Sequence, residues 1–213
     1  MNRPAVKSDS STVEQPDALF ALARICSALY KFEAEHWRRL MQAAIDAGNN
    51  HRQLYEAILQ CYLFLGYPAA LEGLRIWFEI AGLTIHDGFE SWRESGSEWR
   101  IRGEHTCRAV YRRRFPTLQS RIAAISPELS EWMIVEGYGK VLSRGGLALS
   151  QREFLIAVLL GAGTFSRQFE AHLFGCKNVG VPAEWLRLWF DKEPGALSGA
   201  ALPVWRKFRS RFL

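Results

Sequence analysis

The stretch LALSQREFLIAVLLGAGTFSRQFEAHLFGCKNVG, residues 147–180, decides the fold. Ser150 suits a helix N-cap, and the apolar-rich QREFLIAVLL after it reads as a helix over 150–160. GAG at 161–163 interrupts it, and a second helix runs over 164–178. GAG is too short for a phosphate loop and has no strand–turn–helix context. The chain around it tells the same story. Alternating apolar and polar residues rarely persist beyond about four positions, while helical spacing recurs throughout.

Working outward, helices are expected over 127–142 and 182–191, with RGGL at 144–147 as the turn before the central stretch. Ser126 is placed as an N-cap and Pro127 as the first helical residue, where a missing N–H costs nothing. Further upstream come helices over 104–114 and 117–124. Residues 84–103 are polar, glycine-bearing and aperiodic, and read as a linker or crossover. The first part of the chain gives helices over 18–29, 33–47, 51–65 and 69–80. Gly48, Asn49 and Asn50 suit a left-handed C-terminal cap, and GYP at 66–68 breaks the third helix. That helix carries apolar residues on a wide stripe, which predicts burial on more than one side.

Composition bounds the function classes. With 213 residues, 48% of them hydrophobic, the chain can build a substantial core. No apolar run reaches the roughly 18 residues of a membrane helix, so no membrane partner is expected. Residues 1–16 are polar and lack the apolar block of a signal peptide; they read as a disordered or loosely docked arm, and the protein as cytoplasmic. Cys26, Cys61, Cys107 and Cys176 have neither CxxC nor zinc-ligand spacing, and read as buried thiols with no metal role. The net charge of +5 comes from RRRF at 112–115 and RKFRSRF at 206–212. These clusters carry no nucleic-acid reading motif and suit a solvated helix face or an acidic partner surface. The tail, 203–213, is able to form an amphipathic helix with Val204, Trp205, Phe208 and Phe212 on one side.

An internal repeat is visible. Residues 41–58 align without a gap on 173–190, placing Gly48 on Gly180 and Leu54 on Leu186. The segment YEAILQCYLFLGYPAALEGL, 55–74, resembles the second half of the carboxymuconolactone decarboxylase fold, where a Glu-bearing helix meets a Gly-x-Pro break. Residues 136–185 resemble its first half, with LSQRE opening one helix and QFEAHLFGCKNVG in the next. The resemblance covers 18–82 and 126–191. It implies an all-α helical bundle of two family-like units, a pseudo-dimer in one chain. The order of the two segments is unusual, which implies a fusion of units over 17–83 and 104–202. The family assembles by tight subunit packing, which implies a homo-oligomer.

The peroxidase branch of this family, the alkylhydroperoxidase D-like proteins, uses a Glu, eleven residues, Cys-x-x-Cys, three residues and a His. Here the spacing is kept by Glu153, Phe165, Gln168 and His172, but both sulfurs are absent. Phe and Gln cannot attack a peroxide, so dithiol chemistry is not expected. The first unit has Glu33, His36 and Leu40 at the matching places and lacks the histidine. The decarboxylase branch needs no cysteine and no cofactor. The resemblance then implies that His172 is the acid or base and Glu153 sets its tautomer, with a small carboxylated lactone or similar acidic metabolite as substrate. Gln168, one turn before His172, is placed to orient the ring or the ligand, and Arg144 or Arg152 to hold a carboxylate. Glu56, Gln60 and Tyr62 are placed to line the pocket from the first unit. Each also has a structural reading. His172 suits a packed core position, Glu153 a helix N-terminus, and Glu56 a buried partner for an arginine across the interface of the two units. A degenerate family member serving as a binding or assembly module is the other reading.

Overall fold

The computed structural model describes residues 16–31, 33–82 and 94–213. The expected arm lies outside these residues except for Pro16, as does the first part, 84–93, of the expected linker. The described residues are all helical, with no strand among them. The α-helices are α1 (Pro16–Ala28), α2 (Ala34–Asp46), α3 (His51–Gln60), α4 (Tyr62–Ala81), α5 (Gly96–Tyr111), α6 (Phe115–Ile125), α7 (Pro127–Trp132), α8 (Leu149–Ala162), α9 (Ser166–Asn178), α10 (Ala183–Lys192) and α11 (Leu202–Phe212). A 3-10 turn joins α5 to α6 at Arg112–Arg114, and a π-helical segment, Met133–Val141, continues α7.

Helix α8 is the axis of the bundle. Its sequence is apolar on all sides, and every residue from Gln151 to Gly161 is buried. It packs against α1 on one side and α9 on another, and α1 in turn packs on α2 and α3. Apolar side chains of both halves, from Leu22 and Ile58 to Leu159 and Trp189, form one continuous core. Gly48 and Gly180, paired by the repeat, both take positive φ, 96° and 84°. Leu54 and Leu186, also paired, are both buried.

The helix boundaries depart from expectation in three places. The expected helix 51–65 ends at Gln60, where the Cys61 N–H makes a tight bond to the Ile58 carbonyl. The break at 66–68 is a kink centred on Gly66, whose φ of 79° and ψ of 174° favour a residue without Cβ. Pro68 follows it, at the start of the resumed helix, where its missing N–H does little harm. Helix α8 begins at Leu149, so Ser150 lies in its first turn, and the Gln151 side chain takes up the Ala148 N–H at 2.8 Å.

The third departure is α5. Residues 96–103, expected as linker, form its first half, capped by Ser95 and Glu98 in a reciprocal pair. Its buried face is made of Gly103, Thr106, Cys107 and Val110 rather than large apolar residues, so it carries little helical hydrophobic periodicity. The small face serves a close crossing with the π segment. A Cβ on Gly103 would stand 2.0 Å from the Ile134 carbonyl oxygen, and one on Gly139 would stand 2.0 Å from that of Trp99. Gly139→Ala is therefore expected to lower the unfolding free energy by about 1–3 kcal/mol in a urea titration. Gly96→Ala, with open space around its Cβ position, should leave stability unchanged or raise it by up to about 1 kcal/mol.

Candidate functional site

Two neighbouring residues of α8, Arg152 and Glu153, are both fully buried. Successive helical residues point about 100° apart, so the two charges enter different surroundings. Each has recruited a partner from another helix.

Glu153 Oε2 lies 2.9 Å from His172 Nδ1 on α9. Its other oxygen has no polar partner among the described residues. Gly175, one turn after His172, makes room for this contact, because a Cβ there would stand 2.2 Å from Glu153 Oε2. The imidazole is held edge-on by Phe64 at 5.8 Å and Tyr111 at 6.5 Å between ring centroids. With Nδ1 facing the carboxylate, Nε2 is left for a ligand. The Tyr138 hydroxyl donates to the Tyr111 hydroxyl at 3.0 Å. Burial pushes both phenols above their usual range, and the nearby Glu153 charge adds to this, so both remain protonated. Burial likewise raises the Cys107 and Cys176 thiols, with the same carboxylate contributing. Cys176 is thus a poor source of thiolate, although it stands one turn from His172.

His172 forms part of the wall of a cavity of about 530 Å³. Gln168 and Arg167 line it from the same helix, Phe64 from α4 and Tyr111 from α5. Leu118, Ile122, Leu129 and Trp132 close it from α6 and α7. The π segment supplies Met133, Glu136 and Tyr138, and its wide turn is closed by the Leu142 N–H on the Gly137 carbonyl at 2.9 Å. Glu136 in turn accepts a hydrogen bond of 2.9 Å from the Tyr62 hydroxyl. The lining is mostly apolar, and Arg167 is the one cation among the described residues that line it.

Arg152 belongs to a different cluster. Glu56, fully buried on α3, is bound by Arg152 at 2.9 Å, Arg144 at 3.0 Å and Arg52 at 2.6 Å. Arg152 also donates to Gln60 Oε1 at 3.3 Å and to the carbonyls of Arg144 and Gly145 at 3.0 and 2.9 Å. Burial pulls the Arg152 pKa below its usual value, and the Glu56 charge opposes that shift.

The structure thus divides the residues singled out in the sequence. His172 and Gln168 line one cavity, Glu153 stands buried behind His172, and Tyr62 reaches the cavity through Glu136. Glu56, Gln60, Arg144 and Arg152 are placed on one another instead, tying α3 to α8. Arg144 also borders a neighbouring cleft of about 250 Å³, with Tyr62 and Lys140. The sequence reading missed Arg52, although it stands at i−4 from Glu56, the spacing of a helical ion pair. It also missed Arg167, Phe64, Glu136 and Tyr111, which no local pattern marks. Among the described residues no three His, Cys, Asp or Glu side chains are grouped to hold a metal ion. Nor is any of their helices long and apolar enough to cross a membrane. Compared with known proteins, the chain matches no family model and no curated protein sequence.

Glu56 neutralises part of a buried positive cluster, so removing its charge leaves guanidinium groups uncompensated. Glu56→Gln is expected to lower the unfolding free energy by about 3–5 kcal/mol, measured by denaturant titration.

Proposed function

We propose that the chain is a two-unit, carboxymuconolactone decarboxylase-like protein that performs acid/base chemistry without a cofactor. The 2.9 Å contact between Glu153 and His172, at the wall of a cavity of about 530 Å³, carries this reading. Buried polar side-chain atoms are mostly hydrogen-bonded, and a histidine packed only for stability would usually have both nitrogens paired. Here, among the described residues, the ring makes one hydrogen bond, to Glu153. The positive-φ glycines and buried leucines shared by 41–58 and 173–190 support the two-unit reading.

The substrate in this reading is a small carboxylated lactone or a similar acidic metabolite. Arg167 holds its carboxylate at the cavity, a task that Arg144 and Arg152, engaged with Glu56, leave open. The bond from the ring carbon to the carboxylate breaks, carbon dioxide leaves, and the electron pair passes into an enolate. His172, protonated and stabilised by Glu153, returns a proton to that carbon through Nε2. The Gln168 amide donates to the enolate oxygen. An apolar wall favours the step, because charge becomes more dispersed as carbon dioxide departs.

The test is turnover of a panel of carboxylated lactones, followed by carbon dioxide release. His172→Gln should lower kcat by about 10²–10⁴-fold with the fold retained by circular dichroism. Glu153→Gln should shift the pH profile of kcat as well as lower it. Full activity in His172→Gln, or no turnover of any carboxylated lactone by the unaltered protein, overturns the reading.

A second reading, assembly through a second copy of the chain, is favoured by the outer face of α4. Tyr67, Leu71 and Phe78 share that face and are 64%, 61% and 50% exposed. If this face joins two copies, Leu71→Glu converts a dimer to a monomer in sedimentation velocity. A monomer before substitution rules it out.

A further inference from the structure

On another side of α9 lies a second cleft, of about 280 Å³, with a different character. Arg114 reaches it from the 3-10 turn, Arg167 from α9, and Lys207 and Arg211 from α11. One carboxylate, Glu170, faces these four cations. The floor is aromatic. Phe174 meets Phe208 and Phe212 edge-on, with ring centroids 5.3 and 5.1 Å apart. The Arg114 guanidinium lies 4.1 Å from the Phe174 ring centre, and that of Arg211 lies 5.2 Å from Phe212.

Several surface arginines have a carboxylate partner: Arg24, Arg38, Arg100, Arg102 and Arg209 are each paired with one. Among the described residues none of Arg114, Arg167, Lys207 and Arg211 makes such a pair, and neither do the scattered Arg39, Arg113, Arg121 and Arg206. What sets the cleft apart is that four such cations line one concavity. The contrast is sharpest within α11, where Arg209 turns to Asp191 while Lys207 and Arg211 face the cleft. The four side chains are presented by segments anchored in the core through Phe115, Phe169, Trp205 and Phe208, all buried. The fold therefore gathers positive charge and leaves its neutralisation to something that binds.

We propose that this cleft binds a phosphate-bearing anion. Three guanidinium groups offer planar donor forks that match phosphate oxygens, and the lysine adds a point charge. Four cations against one carboxylate exceed what a monocarboxylate neutralises, and suit a group of charge −2 or more. The cleft falls below the roughly 300 Å³ at which sites for whole drug-sized ligands begin, so it takes a compact charged head. Arg167 also borders the His172 cavity, where the proposed reaction uses it for the substrate carboxylate; Arg114, Lys207 and Arg211 against the single Glu170 carry the present proposal without it.

Isothermal titration of the full chain with pyrophosphate and with ATP at low salt tests it. Saturable binding is expected, weakened by added salt. The Arg114→Ala/Lys207→Ala double variant should bind at least about tenfold more weakly, since charge-assisted hydrogen bonds are lost. Lys207→Gln alone, which leaves the Arg114–Phe174 stack intact, should show a smaller loss in the same direction. Equal affinity for the two probes assigns a phosphate group alone, and tighter binding of ATP assigns a nucleotide; both support the site. Absence of saturable binding, or affinity unchanged in both variants, overturns it. So does tighter binding of polyglutamate or duplex DNA than of either probe, lost in the double variant, which would make the cleft part of a macromolecular interface.

Discussion

The adjacent, fully buried charges Arg152 and Glu153 constrain the rest of the structure. Neither can remain charged inside a helical core without compensation, because the loss of hydration is worth several kcal/mol per ion. Arg152 takes its counter-charge from Glu56 on α3, and Glu153 takes its hydrogen-bond partner from His172 on α9. One turn of α8 thus fixes the positions of two other helices. The Arg144–Glu56 contact draws in the turn before α8 as well, so the two halves of the chain are joined by charge as well as by apolar packing.

A second constraint is the close crossing of α5 and the π segment at Gly103 and Gly139. Backbone contact there leaves no room for side chains. The π segment presents Met133, Glu136 and Tyr138 toward the histidine. Irregular helical turns of this kind are less favourable than α-helix and are found often at functional sites. Here the irregular segment both lines the cavity, through Met133, Glu136, Gly137 and Tyr138, and carries Gly139 of the close crossing.

The chemistry available in the two clefts differs because their linings differ. The His172 cavity is apolar, with a carboxylate–imidazole pair set into its wall, which suits proton transfer. The cleft on α11 is cationic over an aromatic floor, which suits anion binding. Helix α9 serves both, through residues less than two turns apart.

The all-helical class was legible in the residues themselves, because helical periodicity and breakers such as Gly66 and Pro68 act locally. The pairing of Glu153 with His172 was expected only through the family resemblance of residues 136–185, and packing of α8 on α9 sets the two side chains 2.9 Å apart. Helix α5 was not legible, because small residues on its contact face look like linker when their partner is unknown. Glu56 was expected as a buried partner for an arginine across the interface, but that Arg144 and Arg152 are those arginines was beyond local reading. Both stand near Glu153 in the chain, but their counter-charge, Glu56, lies 88 and 96 residues away. Local residue order decides where the backbone coils and where it breaks. Which buried charge meets which, and which histidine borders a cavity, depends on desolvation costs that arise only when distant helices pack.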